Sequence, residues 1–227
     1  MKTKLLLLTI LITIVSIHNI KAQKLKKFKS TIVKKIGPKE INVPYLHMTS
    51  YLEYVDGSNE DAVVEGLKNY YVYIWIPAAT TEIGVRMKSP VGKTKIKNAI
   101  ASADYQNNSG SKDPIDQFIS LQRSDIKNPE AIDENSIQNA NWTEMYPNAM
   151  DTNITDDDDT TEESRFISKT DDPLNVLSRG LYRISFQTYN HEGVKGTFLG
   201  QIGFPIKLPG VVISRNIEDL KRELLLK

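Results

Sequence analysis

The chain has 227 residues, 40% of them hydrophobic and 25% charged, with 29 basic and 28 acidic side chains and no cysteine. A formal charge of +1 argues against a nucleic-acid-binding domain, which would be strongly basic. The lack of cysteine excludes disulfides and a thiol nucleophile, so stability has to come from a core, bound ions or a partner.

In chain order, residues 1–22 predict a signal peptide. Lys2 and Lys4 form a basic start, and Leu5–Val15 is an apolar and Thr run of the length of a signal core. It is too short to span a membrane, which takes about 20 apolar residues. Ala22 supplies a small residue before a cleavage site at Gln23. Cleavage leaves residues 23–227 as one domain, and loss of Lys2, Lys4 and Lys21 turns the balance to 26 basic against 28 acidic residues. Residues 24–39 (KLKKFKSTIVKKIGPK) read as a solvated basic arm whose lysines protect an edge strand. Ser30–Ile36 and Tyr45–Tyr54 are predicted strands, with Gly37-Pro38 between them.

Tyr70–Pro77 (YYVYIWIP) is the strongest strand. Tyr71, Tyr73 and Trp75 share one face and Val72, Ile74 and Ile76 the other, so both faces are apolar and the strand is central. Ile83–Ser89 is another strand, followed by a Pro90-Val91-Gly92 turn. Residues 99–165 are polar and read mostly as long loops, with a short helix or strand at Ile115–Gln122. Gly180–Tyr189 alternates, with Tyr182, Ile184 and Phe186 inward. Asn190–Gly193 is predicted to turn it into a hairpin with Val194–Ile206. Gly196, Gly200 and Gly203 there point to bulges or close backbone approach. Asn216 is the predicted cap of a last helix, with Ile217, Leu220 and Leu224 on one side.

Little in the chain suits catalysis. Beyond the leader the histidines are His47, beside an apolar strand, and His191, in the predicted turn. Hydrolase, zinc-protease and nucleotide-binding motifs are absent, so the chain reads as a binding protein and not an enzyme. The feature that asks for a physical account is Asp156-Asp157-Asp158-Asp159, flanked by Asp151, Glu162 and Glu163. Adjacent carboxylates repel by about 1 kcal/mol per close pair even in water. Calcium, with 6–8 oxygen ligands in flexible geometry, is the natural counter-charge. A disordered acidic loop is the alternative. Thr161 stands where an EF-hand needs Gly, and a carboxylate-only group does not suit zinc.

Tyr70–Gly92 (YYVYIWIPAATTEIGVRMKSPVG) and Arg179–Phe198 (RGLYRISFQTYNHEGVKGTF) resemble the two signature stretches of the leptospiral major surface lipoprotein family. The order also matches: an aromatic strand, an acidic run, RGLYRISF, a Pro209-Gly210 turn and a closing helix. The resemblance implies a mainly β fold, a jelly-roll-like β-sandwich with peripheral helices and a C-terminal helix, in residues 23–227. It also implies a calcium site. Asp116 matches an upstream Asp, and Gln117 stands where the family has Thr. Asp156, Asp157, Asp158 and Asp159 form the acidic run, with Asp158 and Asp159 the best-matching ligands. Phe166 matches a backbone carbonyl donor. A lipobox cysteine, part of the family pattern, is missing. The expectation is therefore an exported protein in the periplasm, at the cell surface or outside the cell, held at the outer membrane, if at all, peripherally.

The leading functional expectation is a calcium-stabilised surface or secreted adhesion module for an extracellular protein or glycan. The alternative is a carbohydrate-binding module, for which Tyr51, Tyr54, Tyr105, Trp142 and Tyr146 could supply stacking faces, although most of them read as core or loop aromatics. A glycosidase using paired acids would be a third class, without a motif to support it.

Overall fold

A computed structural model describes residues 28–145, 161–190 and 194–226. Thirteen strands occur among them. They are β1 (Lys29–Ile36), β2 (Lys39–Pro44), β3 (His47–Val55), β4 (Ala62–Val64), β5 (Leu67–Ile76), β6 (Glu82–Lys88) and β7 (Ile100–Ala101). After these come β8 (Phe118–Ser124), β9 (Trp142–Met145), β10 (Thr161–Ile167), β11 (Gly180–Tyr189), β12 (Gly196–Phe204) and β13 (Val212–Ser214). Short helices α1 (Ala103–Asn108) and α2 (Glu134–Asn139) and the closing helix α3 (Ile217–Leu225) flank them.

Two sheets carry the fold, in the orders β10-β6-β12-β3-β7 and β13-β5-β11-β8-β9, with β4 beside β5. The chain crosses from one sheet to the other at almost every long strand, the winding of a jelly-roll-like sandwich. Inward residues of both sheets make one core: Tyr51, Val85, Met87, Phe166, Phe198 and Ile202 meet Val72, Ile74, Ile76, Leu121, Tyr182, Ile184 and Phe186. The two-faced reading of β5 holds, because Trp75 belongs to a second cluster with Leu181, Val212 and Leu220 under α3. Asn216 caps α3, accepting from Glu218 N at 2.8 Å and Asp219 N at 3.1 Å.

The predicted hairpin of 180–189 with 194–206 is not formed. β11 pairs with β5 and β8, whereas β12 pairs with β3 and β6. Inward aromatics on each strand, Phe186 and Phe198, need each other across the sandwich, with ring centroids 5.8 Å apart. Turn residues 191–193 lie outside the described residues. The glycines of β12 are sites of close approach, since its pairing with β3 runs without a register shift. A Cβ on Gly200 would stand 2.6 Å from the Phe186 ring. Gly203 pairs with Gly84, and the Tyr45 ring fills the space that both leave open.

The polar middle is more ordered than its composition suggested. Ile115–Gln122 overlaps a strand, β8, and the flanking residues form α1, a turn of 3-10 helix at Pro129–Ala131, α2 and β9. Ser102 and Asp133 cap the two short helices. Ile132 and Ile137 are buried against the Trp75 cluster. A few well-spaced apolar residues anchor a segment whose mean composition reads as loop. The basic arm forms the β1–β2 ladder, a small separate sheet with Lys34, Lys35 and Lys39 exposed.

Candidate functional site

Asp116 and Gln117 enter β8 from a point fixed by the ends of β6 and β12. Ser89, just beyond β6, donates its hydroxyl to Thr197 O at 2.9 Å and accepts from Ile115 N at 3.2 Å. Gly196 lets the backbone of Asp113 lie directly against β12. With Ile115 buried, Asp116 is exposed and Gln117 half-buried. The Gln117 Oε1 atom is cut off from solvent and has no hydrogen-bond partner among the described residues. An amide oxygen left so costs on the order of 1–3 kcal/mol.

The acidic run, Asp156, Asp157, Asp158 and Asp159, lies outside the described residues, as does Asp151. Both flanks of residues 146–160 are nevertheless fixed. Met145 pairs with Leu121, four residues along β8 from Gln117, or about 13 Å. Thr161 pairs with Lys88, the neighbour of Ser89. Glu162 is half-buried, and burial followed by the charge of Glu163 pushes its carboxyl above the usual carboxylate range. Among the described residues no group of three or more His, Asp or Glu is placed to hold a metal. Phe166 lies on β10 and shares a core cluster with Ile115, the neighbour of Asp116. It is buried and pairs with Ile83, five residues down β10 from Thr161, or roughly 17 Å.

Glu163 is engaged elsewhere. Its Oε1 accepts from Arg86 Nε at 2.6 Å and its Oε2 from Arg165 Nη2 at 2.9 Å, and Arg86 Nη2 closes a second contact. The Phe28 ring lies 4.7 Å from the Arg86 guanidinium and 5.8 Å from that of Arg165. Beside this group, Glu82 accepts from Thr31 N at 3.0 Å, Thr31 Oγ1 at 2.5 Å and the Tyr45 hydroxyl. Together they fasten the start of the arm to the five-stranded sheet. His47, at the start of β3, packs its ring 6.0 Å from Phe204, while His191 lies outside the described residues.

Burial decides between the stacking and core readings of the candidate aromatics. Tyr51, Tyr54 and Tyr105 are buried, at 1%, 9% and 5% exposure, because each closes a core or a loop. Tyr146 lies outside the described residues. Trp142 is half-buried, donates Nε1 to Ile137 O at 3.3 Å and belongs to a different array on the outer face of the six-stranded sheet. There the Arg183 guanidinium stands 4.3 Å from the Tyr71 ring and 4.2 Å from the Trp142 ring. Its Nε donates to Gln122 Oε1 at 2.6 Å, and Tyr73 lies 6.4 Å from Trp142. Strand alternation already put Tyr71 and Tyr73 on one face and Arg183 outward. The register that pairs Arg183 with Tyr73 and Gln122 joins distant segments and has no local signal.

No curated protein matches the chain. A family model described as surface lipoprotein of the order Spirochaetales matches residues 39–213. The match runs from β2 into β13 and so takes in both sheets. With about three quarters of its length covered, the chain belongs to the surface lipoprotein family of the Spirochaetales and is an exported, cell-surface protein.

Proposed function

We propose that this surface protein acts by binding and not by catalysis, and that calcium orders the acidic run at the binding end of the sandwich. The observation that carries the proposal is the buried, unpartnered Oε1 of Gln117. It is a neutral oxygen donor next to an exposed carboxylate, Asp116, and the Thr161 flank of the acidic segment is tied to it through Lys88, Ser89 and Ile115. Calcium takes such oxygens. Asp158 and Asp159, with Asp116 and Gln117, would hold the ion, and bound calcium would supply a fixed positive charge that gathers the run into one surface. An extracellular protein or glycan is the ligand class for that surface. Phe166 would add a backbone carbonyl oxygen to this set, as the resemblance implies.

Calcium at 100 times its dissociation constant adds about 2.7 kcal/mol of stability. Thermal melting with chelator and with millimolar calcium should show a rise in Tm, which Asp158→Ala with Asp159→Ala abolishes. An unchanged melting curve overturns the calcium reading. A second reading, glycan binding, rests on the half-buried rings of Tyr73 and Trp142 beside the fixed Arg183 and Gln122 side chains, because aromatic faces beside fixed polar groups suit sugars. A glycan array without hits disposes of it.

A further inference from the structure

At the other end of β8 from Gln117, the loops form an open, solvent-facing pocket of about 310 Å³. Arg123, Lys127, Thr143 and Ser178 line it, with Asp125 and Asn141 to one side. Arg123 is held in place by two backbone carbonyls, Nη1 donating to Val176 O at 2.9 Å and Nη2 to Pro173 O at 3.0 Å. Lys127 donates Nζ to Ser124 O at 3.3 Å. Its ammonium lies against Gly180, where a Cβ would stand 2.9 Å from Nζ. So the two cations are positioned by backbone and not by counter-ions. Among the described residues neither makes an ion pair.

Asp125 is the one carboxylate on the wall. It accepts from Asn141 N at 3.3 Å and Asn141 Nδ2 at 2.9 Å, which fixes it to the rim. Burial and then the nearby Arg123 charge lower the pKa of Lys127. Asp125 acts in the opposite direction, and an anion between the two cations would add to it by offsetting their mutual repulsion. Lys acts as a point charge, and Arg123 has already committed two N–H groups, so a flat bidentate grip on a carboxylate is not what the wall offers. Separate donors from Lys127, Arg123 and the Thr143 and Ser178 hydroxyls suit three oxygens pointing different ways. The volume is at the lower end of the roughly 300–1,000 Å³ of small-molecule sites. It is far above the about 30 Å³ of one water, so a bare ion would leave it mostly unfilled.

We propose that this pocket binds a sulfate or phosphate ester carried on a ligand of monosaccharide size. Titration calorimetry of the full chain with glucose 6-sulfate, glucose 6-phosphate, glucose and inorganic phosphate tests it. At least one ester should bind, and whichever binds tighter identifies the ester type. Glucose should not bind, and inorganic phosphate should bind at least tenfold more weakly. Lys127→Ala and, separately, Thr143→Val should weaken ester binding, the first at least tenfold, with melting curves showing both variants folded. Asp125→Asn should tighten it. Lys97→Ala, an exposed lysine elsewhere, should change nothing. Failure of both esters to bind, equal affinity for glucose, equal affinity for inorganic phosphate, or equal loss with Lys97→Ala would overturn the proposal.

Discussion

Replacing Glu163 with Ala should cost more than any other single change to an acidic side chain among the described residues. Glu163, Arg86 and Arg165 have side-chain exposures of 8%, 4% and 7%, so no water replaces the lost carboxylate. Two guanidinium groups would then share a dry site against Phe28, with Arg165 Nη1 already lacking a partner. Breaking a buried pair by removing one member costs about 3–5 kcal/mol. For a domain of this size that lowers Tm by roughly 6–20 °C. Urea unfolding followed by fluorescence measures it directly, with and without calcium. The loss should be the same in both, because Glu163 is bound to arginines and not to the acidic segment's cation. A cost below about 1 kcal/mol, the worth of a surface pair, would refute the buried cluster. A loss that depends on calcium would return Glu163 to the metal.

Gly200→Ala should destabilise by about 1–3 kcal/mol, as overpacking does, because the new methyl meets Phe186 at 2.6 Å; denaturant midpoints report it. Asn216→Ala should cost about 1 kcal/mol, since one side-chain oxygen accepts two backbone N–H groups at the start of α3, and helix signal and midpoint should fall together. Glu162→Gln should raise Tm at pH 7 in chelator and leave it unchanged at pH 4. The folded protein holds that proton more tightly than the unfolded chain, above the ordinary glutamate value of 4.5. The favourable state is therefore complete below about 4.5 and lost as pH rises through the higher folded value. An equal shift at both pH values would show that Glu162 acts through packing.

Much of the sandwich was legible because each long strand carries its own burial pattern. Tyr182, Ile184 and Phe186 alternate inward as their spacing requires, and Asn216 marks the last helix by a local capping rule. What was not legible depends on pairing between distant segments. Asn190–Gly193 looks like a hairpin turn by composition, yet the strands on either side take different sheets because Phe186 and Phe198 face each other. Tyr51, Tyr54 and Tyr105 have the chemistry of a stacking surface, and only the packing shows that each is buried. At the candidate metal site, Asp116 and Gln117 could be named from a family pattern. That the Gln117 oxygen is buried without a partner follows from the Ser89–Ile115 link, which nothing in the local sequence announces. Phe166 could likewise be named only from the family pattern, while its place on β10 follows from its pairing with Ile83.

The strand order has a consequence for when the molecule can fold. None of β3, β5 or β6 pairs with another of the three; their long neighbours β10, β11 and β12 all come after residue 160. Arg86 and Glu163 stand 77 residues apart in the chain. Non-local pairing of this kind places folding in the milliseconds-to-seconds range of all-β domains. A chain holding only the first hundred residues can form the β1–β2 and β4–β5 pairings, but both large sheets wait for β10, β11 and β12. Late assembly of the two large sheets is thus written into the topology.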